Sequence, residues 1–367
     1  MCTCSNTAPH NPINCIIPPH MLEVMAMRGD KSVAKMARSM LSQNEKVRAE
    51  RADQPGGRMV PSQSTPGAFV SSALAGSGAH AHTCERKIYD GQRRAALPGK
   101  LARGEGDPAT GDSEVDAAYD GAGEVFELYS KEYDRDSLDG NGMPLVATVH
   151  HRRNYNNAFW NGTQMAYGDG DGQIFQTFTE LSVIGHEMSH GVVQFSGGLI
   201  YQGQSGALNE SFADVFGSLV IQRKQGETAS EASWLVGEGI LGPDINGVAL
   251  RSMKAPGTAY SDSLLGQDPQ PYHMDLFVNT TGDNGGVHIN SGIPNHAFYL
   301  FSQYMGGKAW EIPGQIWYLA LQKINNPLAT FSDWAAQTME GAIELHGVGS
   351  WEMIMLRRAW KLVGISV

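Results

Sequence analysis

A His-Glu-x-x-His motif followed by a distant Asn-Glu pair constrains this chain more than any other feature. His186 and His190 are four residues apart in a segment, 180–195, that is predicted to be helical, so both imidazoles project from one helix face. Glu210 follows in a second segment whose apolar residues recur at helical spacing. Two histidines and one glutamate are a common ligand set for a catalytic zinc ion. The sequence therefore predicts a zinc site made by His186, His190 and Glu210.

Two carboxylates beside these ligands have predicted supporting roles. Glu187 lies next to the first ligand, where it can accept a proton from water. Asp214 is four residues after Glu210 and shares its helix face, which places it too far along to be an equivalent ligand. It is instead predicted to accept the free ring N–H of a ligand histidine. The alternative is that these groups are surface residues of amphipathic helices, but the motif has the long helical context that it requires.

Composition excludes several classes of partner. The net charge of −11 argues against a nucleic-acid partner, since a phosphate-binding surface needs concentrated Lys and Arg. No membrane partner is expected, because the apolar runs are far shorter than the ~20 residues of a spanning helix. The first twenty residues lack the basic start and apolar core of a secretory signal. We expect a monomer that is either cytoplasmic or exported by a non-classical route, and the compartment stays open.

The four cysteines do not form the disulfide framework of a small secreted protein. Three of them, Cys2, Cys4 and Cys15, lie near the N-terminus, and the fourth is Cys84. Their spacing matches no common zinc module, so incidental thiols are the favoured interpretation and their role stays open.

A length of 367 residues suggests two domains with additional segments. Residues 1–52 are predicted to form a short propeptide with a helical segment that breaks at Gly29 and Asp30, and 53–84 form a linker rich in Pro, Gly, Ser and Ala. An α/β half rich in strands, 85–196, and a helical half, 197–367, complete the chain. Asp30, Ser113, Ser332 and Ser350 are predicted helix caps.

Several motifs along residues 87–367 occur in the order found in the thermolysin-like metallopeptidases, and the chain resembles that family. Together with the zinc helix, the matching segments are 156–162, 198–201, 209–214, 250–253 and 283–292. A shorter segment, 16–22, is similar to the compact propeptide of protealysin-type members. The resemblance implies an α+β fold in which a strand-rich α/β domain and an all-helical domain flank the central zinc-binding helix. It also implies a zinc endopeptidase made as an autoprocessed zymogen.

The resemblance assigns roles around the reacting bond. Glu187 would accept the proton of the water that attacks the scissile carbonyl, and Tyr201 and His288 would stabilise the negative charge on its oxygen. Asp283 would orient the His288 ring and favour its protonated form. Asn209, beside the third ligand, would hold His190.

The resemblance also implies how the substrate is held. Asn157, the carbonyl of Ala158 and Arg251 would bind its backbone. Without the resemblance, Arg251 would be interpreted as a surface salt-bridge partner. The pocket for the residue after the cleaved bond would be lined by Val183, Val236 and Leu250, which are all apolar. This pocket favours cleavage before Leu, Phe, Ile or Val.

One departure from extracellular relatives concerns calcium. Those relatives have acidic residues that bind a calcium pair at positions occupied here by Ser182, Ile221 and Leu235, and only Glu238 remains. Too few oxygen ligands are left for Ca²⁺, which requires six to eight. The calcium double site is therefore predicted to be absent, and other calcium sites stay open.

The zymogen hypothesis rests on Pro18 and Pro19, which make an extended segment with few N–H groups and little conformational freedom to lose. Ile17, Pro18, Pro19, His20 and Met21 are predicted to occupy the substrate cleft, with autocleavage between about Glu45 and Thr83. Two alternatives remain. A zinc aminopeptidase would need acids to bind a free amino terminus, and an inactive binding or inhibitory module would be expected to lack a ligand or the base.

Overall fold

A computed structural model describes the backbone of residues 14–52 and 82–367 and the side chains of 15–44 and 82–367. Cys2, Cys4 and nearly all of the predicted linker lie outside the described residues. The described chain is a mixed α and β protein with a strand-rich first half and a helical second half, as predicted. Among its helices none is both long enough and apolar enough to cross a membrane.

One six-stranded sheet dominates the first half, in the order β1-β5-β6-β4-β2-β3. Strands β2, β4 and β6 are parallel, whereas β3, β5 and β1 pair antiparallel with their neighbours. The sheet strands are β1 (Asn14–Cys15), β2 (Arg86–Asp90), β3 (Lys100–Gly104), β4 (Leu145–Val149), β5 (Ala158–Trp160) and β6 (Met165–Tyr167). Two short ribbons follow, β7 (Leu235–Val236) with β8 (Arg251–Ser252), and β9 (Ser261–Asp262) with β10 (Gly266–Gln267).

Ten helices pack beside and beyond this sheet in the described ranges. They are α1 (Pro19–Arg28), α2 (Lys31–Ala52), α3 (Ser113–Tyr133), α4 (Leu181–Gln194), α5 (Gly203–Gln225), α6 (Asp283–Asn290), α7 (Gly292–Met305), α8 (Ile312–Lys323), α9 (Phe331–His346) and α10 (Trp351–Leu362). The apolar faces of α3, α4, α5 and α7 to α10 share one hydrophobic core with the sheet.

Helices α4 and α5 cross closely because both have glycine at the crossing. A Cβ atom on Gly185 would lie 2.9 Å from Gly217 Cα, and one on Gly217 would lie 3.0 Å from the backbone nitrogen of His186. Both distances are shorter than normal carbon contacts, so larger residues would separate the helices. Helix α4 begins at a cap made by Glu180, whose side chain accepts the N–H groups of Ser182 and Val183. This crossing brings the two halves of the zinc motif together.

Two of the four predicted helix caps are wrong. Asp112 rather than Ser113 caps α3, and Thr330 rather than Ser332 caps α9 in a complete capping box. In both helices another residue with a side-chain oxygen acceptor lies one or two residues earlier, where the backbone is still extended. Ser350 caps α10 as predicted.

The N-terminal segment packs onto the rest of the chain rather than extending away from it. Met21, Leu22 and Met25 of α1 are completely buried and belong to the main hydrophobic core. The predicted break falls between α1 and α2, where Asp30 caps the second helix by accepting the N–H groups of Ser32 and Val33. Strand β1 adds an edge to the sheet, with Cys15 opposite Phe159.

Candidate metal centre and catalytic cleft

The three predicted ligands converge in the buried interior between α4 and α5. The Nε2 atoms of His186 and His190 are 3.0 Å apart, and they lie 3.5 Å and 3.4 Å from the two carboxylate oxygens of Glu210. All ligand atoms lie within 4.8 Å of one another, and all three side chains are fully or almost fully buried. Buried side chains of this kind normally pair with hydrogen-bond donors or acceptors, or with a metal ion.

The Nδ1 atom of each ligand histidine contacts a hydrogen-bond acceptor. This contact orients the ring so that its Nε2 atom points toward the space between the three ligands. His190 Nδ1 lies 2.8 Å from Asn209 Oδ1, and His186 Nδ1 lies 2.8 Å from Asp214 Oδ1. With protons on Nδ1, both Nε2 lone pairs face the same point, which suits a cation and not a second hydrogen bond. Glu210 Oε2 likewise has no hydrogen-bond partner within the described ranges. The donor set therefore fits zinc.

Asp214 connects the metal centre to an arginine that sequence analysis assigned to substrate binding. Arg251 donates to this carboxylate through Nε and Nη2, at 2.8–3.0 Å, and Asn295 Nδ2 donates to it at 2.9 Å. Burial alone would raise the pKa of Asp214, but Arg251 and His186 hold it below its usual range. The sequence contained no sign of the Asn295 contact, because this residue lies on α7, far along the chain.

Glu187 has the environment of a base. Its Oε2 accepts the Trp160 N–H at 3.0 Å, while its Oε1 is buried and has no hydrogen-bond partner among the residues that are described. Burial, reinforced by the nearby Glu210 carboxylate, raises the pKa of Glu187 well above its usual value. A carboxylate with one anchored and one open oxygen can accept a proton without changing its position.

Tyr201, His288 and Asp283 form a second group across the cleft. His288 Nδ1 lies 2.6 Å from Asp283 Oδ1, and its Nε2 lies 3.1 Å from the Tyr201 hydroxyl. The other Asp283 oxygen accepts the backbone N–H of His288 at 2.9 Å. Burial opposes protonation, yet Asp283 and Glu210 raise the pKa of His288. The contact is possible because Asn284, Gly285 and Gly286 have positive φ values and interrupt α6.

The N-terminal segment occupies this cleft in the described structure. Its backbone meets every residue predicted to hold substrate backbone: Ile16 N–H donates to the Ala158 carbonyl at 3.3 Å, and Ile17 N–H donates to Asn157 Oδ1 at 3.0 Å. Arg251 Nη1 donates to the Ile16 carbonyl at 3.2 Å. His288 Nε2 lies 3.1 Å from the Cys15 carbonyl oxygen.

The contacts fall slightly earlier in the chain than the sequence indicated. The extended part runs through Cys15 and Ile16 to Ile17, whereas Pro19 already begins α1. Proline is well suited to a first helical position because its fixed φ is helical and no N–H is needed there. His20 and Met21 are thus helical residues. His20 Nε2 lies 3.4 Å from the Tyr260 hydroxyl, and Met21 is buried.

The predicted pocket residues are apolar and buried. Val183, Val236 and Leu250 are at most 2% exposed and share one hydrophobic cluster with Ile16, which is itself completely buried. Nearby, Ser182 forms a hydrogen-bonded link: its hydroxyl donates to Glu180 and accepts the Gly237 N–H at 2.8 Å. Burial raises the pKa of Glu180.

Comparisons with known proteins agree with this geometry. Residues 79–194 match the family model described as "Thermolysin metallopeptidase, catalytic domain", and 197–365 match "Thermolysin metallopeptidase, alpha-helical domain". The chain is 43% identical over 360 residues to "Extracellular metalloprotease" of Pectobacterium carotovorum subsp. carotovorum, covering 97% of each chain. It is 40% identical over 295 residues to "Thermolysin" of Alicyclobacillus acidocaldarius subsp. acidocaldarius, covering 76% of this chain and 50% of that protein.

A solved structure is also similar. It is titled "Precursor of Protealysin, Metalloproteinase from Serratia proteamaculans" and aligns with a TM-score of 0.80 and 41% sequence identity. The alignment covers 96% of this chain and 100% of that one.

Proposed function

Because this chain belongs to the thermolysin family of metallopeptidases and is a zinc metalloendopeptidase made as a zymogen, we propose specific roles for its residues. His186, His190 and Glu210 hold the zinc ion, while Asn209 and Asp214 fix the two histidine rings. Residues 85–196 are the N-terminal catalytic α/β domain and 197–367 are the C-terminal helical domain, while 1–52 are the propeptide and 53–84 are the linker and processing region. The observation that carries the proposal is the convergence of three buried ligand side chains on one point.

Glu187 acts as the base. Zinc, when bound, polarises the scissile carbonyl and lowers the pKa of the attacking water. Glu187 takes the proton of this water on the oxygen that has no partner among the described side chains, while Trp160 N–H keeps the carboxylate in place. It then returns the proton to the leaving nitrogen.

His288 and Tyr201 stabilise the oxygen of the scissile carbonyl as it gains negative charge. The Tyr201 hydroxyl, which donates to Glu210 in this structure, is 3.1 Å from His288 Nε2, and His288 Nε2 is within hydrogen-bond distance of a peptide carbonyl. Asp283 orients the imidazole and favours its charged form.

Asn157, the Ala158 carbonyl and Arg251 hold the substrate backbone. The support for this role is that all three contact the N-terminal segment through its peptide groups, not through its side chains. Val183, Val236 and Leu250 line the pocket for the residue after the cleaved bond. Burying apolar surface in a dry apolar pocket contributes about 25 cal/mol of binding free energy for each Å². Cleavage before Leu, Phe, Ile or Val is therefore favoured.

Zinc content and cleavage of a blocked peptide library test this function. We expect one zinc per processed chain, hydrolysis that a zinc-selective chelator abolishes, and cleavage chiefly before large apolar residues. Blocking the amino terminus should leave the rate unchanged, whereas an aminopeptidase would lose its substrate. A zinc-loaded, processed enzyme without hydrolytic activity would instead indicate a binding or inhibitory module, and cleavage chiefly after Lys or Arg would reject the pocket assignment.

We further propose that the chain is a monomer and that its own N-terminal segment is the intramolecular inhibitor. The backbone contacts of Ile17, the turn at Pro18 and Pro19, and the packing of His20 and Met21 support this role. The segment blocks the residues that would otherwise hold substrate. Autocleavage between about Glu45 and Thr83 would free it.

The docking of the inhibitor is expected to weaken at acidic pH through His20. Burial lowers the pKa of this imidazole to about 4. The negative charge of Asp283 opposes this shift, and the positive charges of His288 and Arg251 add to it. The released segment has an ordinary His pKa near 6.5. Docking is therefore strongest above pH 6.5 and weakens as the pH falls from 6.5 toward 4, by up to about 30-fold at pH 5.

Hydrogen exchange of α1 measures this effect. The measurement uses the Glu187→Gln variant, which keeps the chain uncut. The equilibrium constant for the opening of α1 is compared at pH 7.5 and pH 5 after correction for intrinsic exchange rates. His20→Gln should flatten the pH dependence, and Glu23→Gln on the exposed face of α1 is the matched control. If the opening of α1 has the same pH dependence in His20→Gln as in the parent chain, another titratable group causes the weakening of docking at acidic pH.

We also propose that the calcium double site is absent. The support is that Ser182 links Glu180 to the backbone of Gly237 by hydrogen bonds, in the place where acidic ligands would be needed. Chelating calcium while sparing zinc should leave the melting temperature unchanged within 1–2 °C, roughly the shift produced by 1 kcal/mol in a chain of this size. A decrease of many degrees would contradict the proposal, and Ser182→Ala should lower the melting temperature with or without calcium.

A further inference from the structure

We propose that the peptide bond between Cys15 and Ile16 is held in the cleft as a scissile bond, and that the enzyme hydrolyses this bond in its own chain. This inference rests on the proposed function and adds a processing site to it. The site is separate from the expected cleavage between about Glu45 and Thr83.

The carbonyl side of this bond lies where charge is stabilised. His288 Nε2 is 3.1 Å from the Cys15 oxygen, and the Tyr201 hydroxyl is 3.1 Å from the same ring nitrogen. His288, one of the two donors that would stabilise a substrate oxygen, is therefore beside this carbonyl, and the Tyr201 hydroxyl next to it donates to Glu210 in this structure. The Asp283 carboxylate behind His288 keeps the ring directed at it.

The nitrogen side of the bond lies beside the base. Ile16 N–H donates to the Ala158 carbonyl at 3.3 Å, and Glu187 accepts the N–H of Trp160, which lies on the same strand β5, at 3.0 Å. Glu187 Oε1, buried and without a hydrogen-bond partner in the described structure, is available to a water molecule. The base that would protonate a leaving amine is thus anchored on the strand that also binds this nitrogen.

The flanking contacts fix the direction and register of the segment. Arg251 binds the Ile16 carbonyl and Asn157 binds the Ile17 N–H, so a one-residue shift would break both contacts. Cys15 on the edge strand β1 pairs with Phe159 on the neighbouring strand β5. Ile16 is completely buried in the main hydrophobic core, to which the pocket residues also belong, and isoleucine is one of the residues that the apolar pocket favours.

The reaction is an ordinary peptide hydrolysis in which water is the only co-reactant. The water oxygen bonds to the Cys15 carbonyl carbon, and its proton passes to Glu187. The carbon–nitrogen bond then breaks, and the proton is transferred to the Ile16 nitrogen. The products are a peptide that ends in the Cys15 carboxylate and a chain that begins at the Ile16 amine.

Cleavage at this bond would not by itself open the cleft. The new chain still includes α1, whose Met21, Leu22 and Met25 are completely buried, so the segment after the bond stays docked. Its amine would remain beside Glu187 and its carbonyl on Arg251. The enzyme would then be inhibited by its own product until α1 leaves, which predicts a lag between this cleavage and activity toward added peptides.

Time-resolved mass spectrometry with labelling of new amino termini tests the inference. Full-length chain is prepared without zinc, and the reaction is started by adding zinc. We expect a chain beginning at Ile16, formed at a rate that does not change over a tenfold range of protein concentration. Glu187→Gln should remain joined at this bond even when it is mixed with wild-type enzyme, because in its own cleft the bond is buried.

Two substitutions of Ile16 separate recognition from docking. Ile16→Leu keeps a large apolar group and should be cut at a rate within about tenfold of wild type, whereas Ile16→Asp should be cut more than about 100-fold more slowly because a charge would be buried. Glu23→Gln is the matched control and should be cut normally. Hydrolysis of an added blocked peptide by an enzyme whose bond between Cys15 and Ile16 stays intact would overturn this inference alone. Absence of any peptide hydrolysis would overturn the proposed function.

Discussion

Replacing Glu187 with Gln is expected to lower the hydrolysis of a blocked peptide by about 10³-fold while zinc binding is retained. The substitution removes the proton acceptor but keeps the size of the side chain and its contact with Trp160 N–H. Because the base is not among the three ligands, zinc content should not change. Steady-state kinetics and metal analysis are measured on chains freed of the propeptide by the same added protease. Glu340→Gln, at an exposed position of α9, is the control and should keep wild-type activity.

The same substitution should not weaken the fold. Glu187 is completely buried, has one oxygen without a partner among the described groups, and has a strongly raised pKa, so its charged form is costly in the folded state. A neutral amide avoids this cost. The free energy of unfolding of Glu187→Gln should therefore equal or exceed that of wild type. A variant that loses activity together with zinc or stability would instead give Glu187 a structural role.

The zinc ligands could be predicted because their geometry is local. His186 and His190 are one helical turn apart, and Glu210 lies on the next helix, whose apolar residues fix its rotation. What the sequence did not indicate is the closeness of the two helices. The short distance between the helices depends on the contact of Gly185 with Gly217. Because neither residue has a side chain, hydrophobic periodicity does not indicate this contact.

Contacts between distant parts of the chain were less predictable. Asp283 and His288 are five residues apart, a spacing that a regular helix would not bring into contact, and only the positive φ values between them make it possible. The family resemblance suggested this pair, while helical periodicity could not. Similarly, Pro18 and Pro19 marked the inhibitory segment, but the residues that contact the cleft most closely, Cys15 and Ile16, are ordinary by composition.

Replacing Arg251 with Met is expected to lower the free energy of unfolding by about 3–5 kcal/mol. The Arg251 side chain is 4% exposed and binds both oxygens of the completely buried Asp214. Without it, Asp214 would keep its charge with only His186 and Asn295 as partners, and an unpaired buried charge is strongly destabilising. Urea unfolding at constant excess zinc measures the loss, and Arg357→Met at an exposed position of α10 is the control, expected to change stability by less than about 0.5 kcal/mol.

A double variant distinguishes loss of the ion pair from loss of packing. Asp214→Asn removes the buried charge but leaves an amide oxygen for His186, so Arg251→Met combined with Asp214→Asn should be more stable than Arg251→Met alone. Activity should not recover in parallel, because Arg251 Nη1 also binds a peptide carbonyl, here that of Ile16, and Met cannot donate to it. Recovered stability together with a raised KM would establish two roles for the Arg251 guanidinium. It neutralises the Asp214 carboxylate behind the metal centre, and it also holds the substrate. If the double variant is no more stable than Arg251→Met, the charge of Asp214 is not what the arginine stabilises.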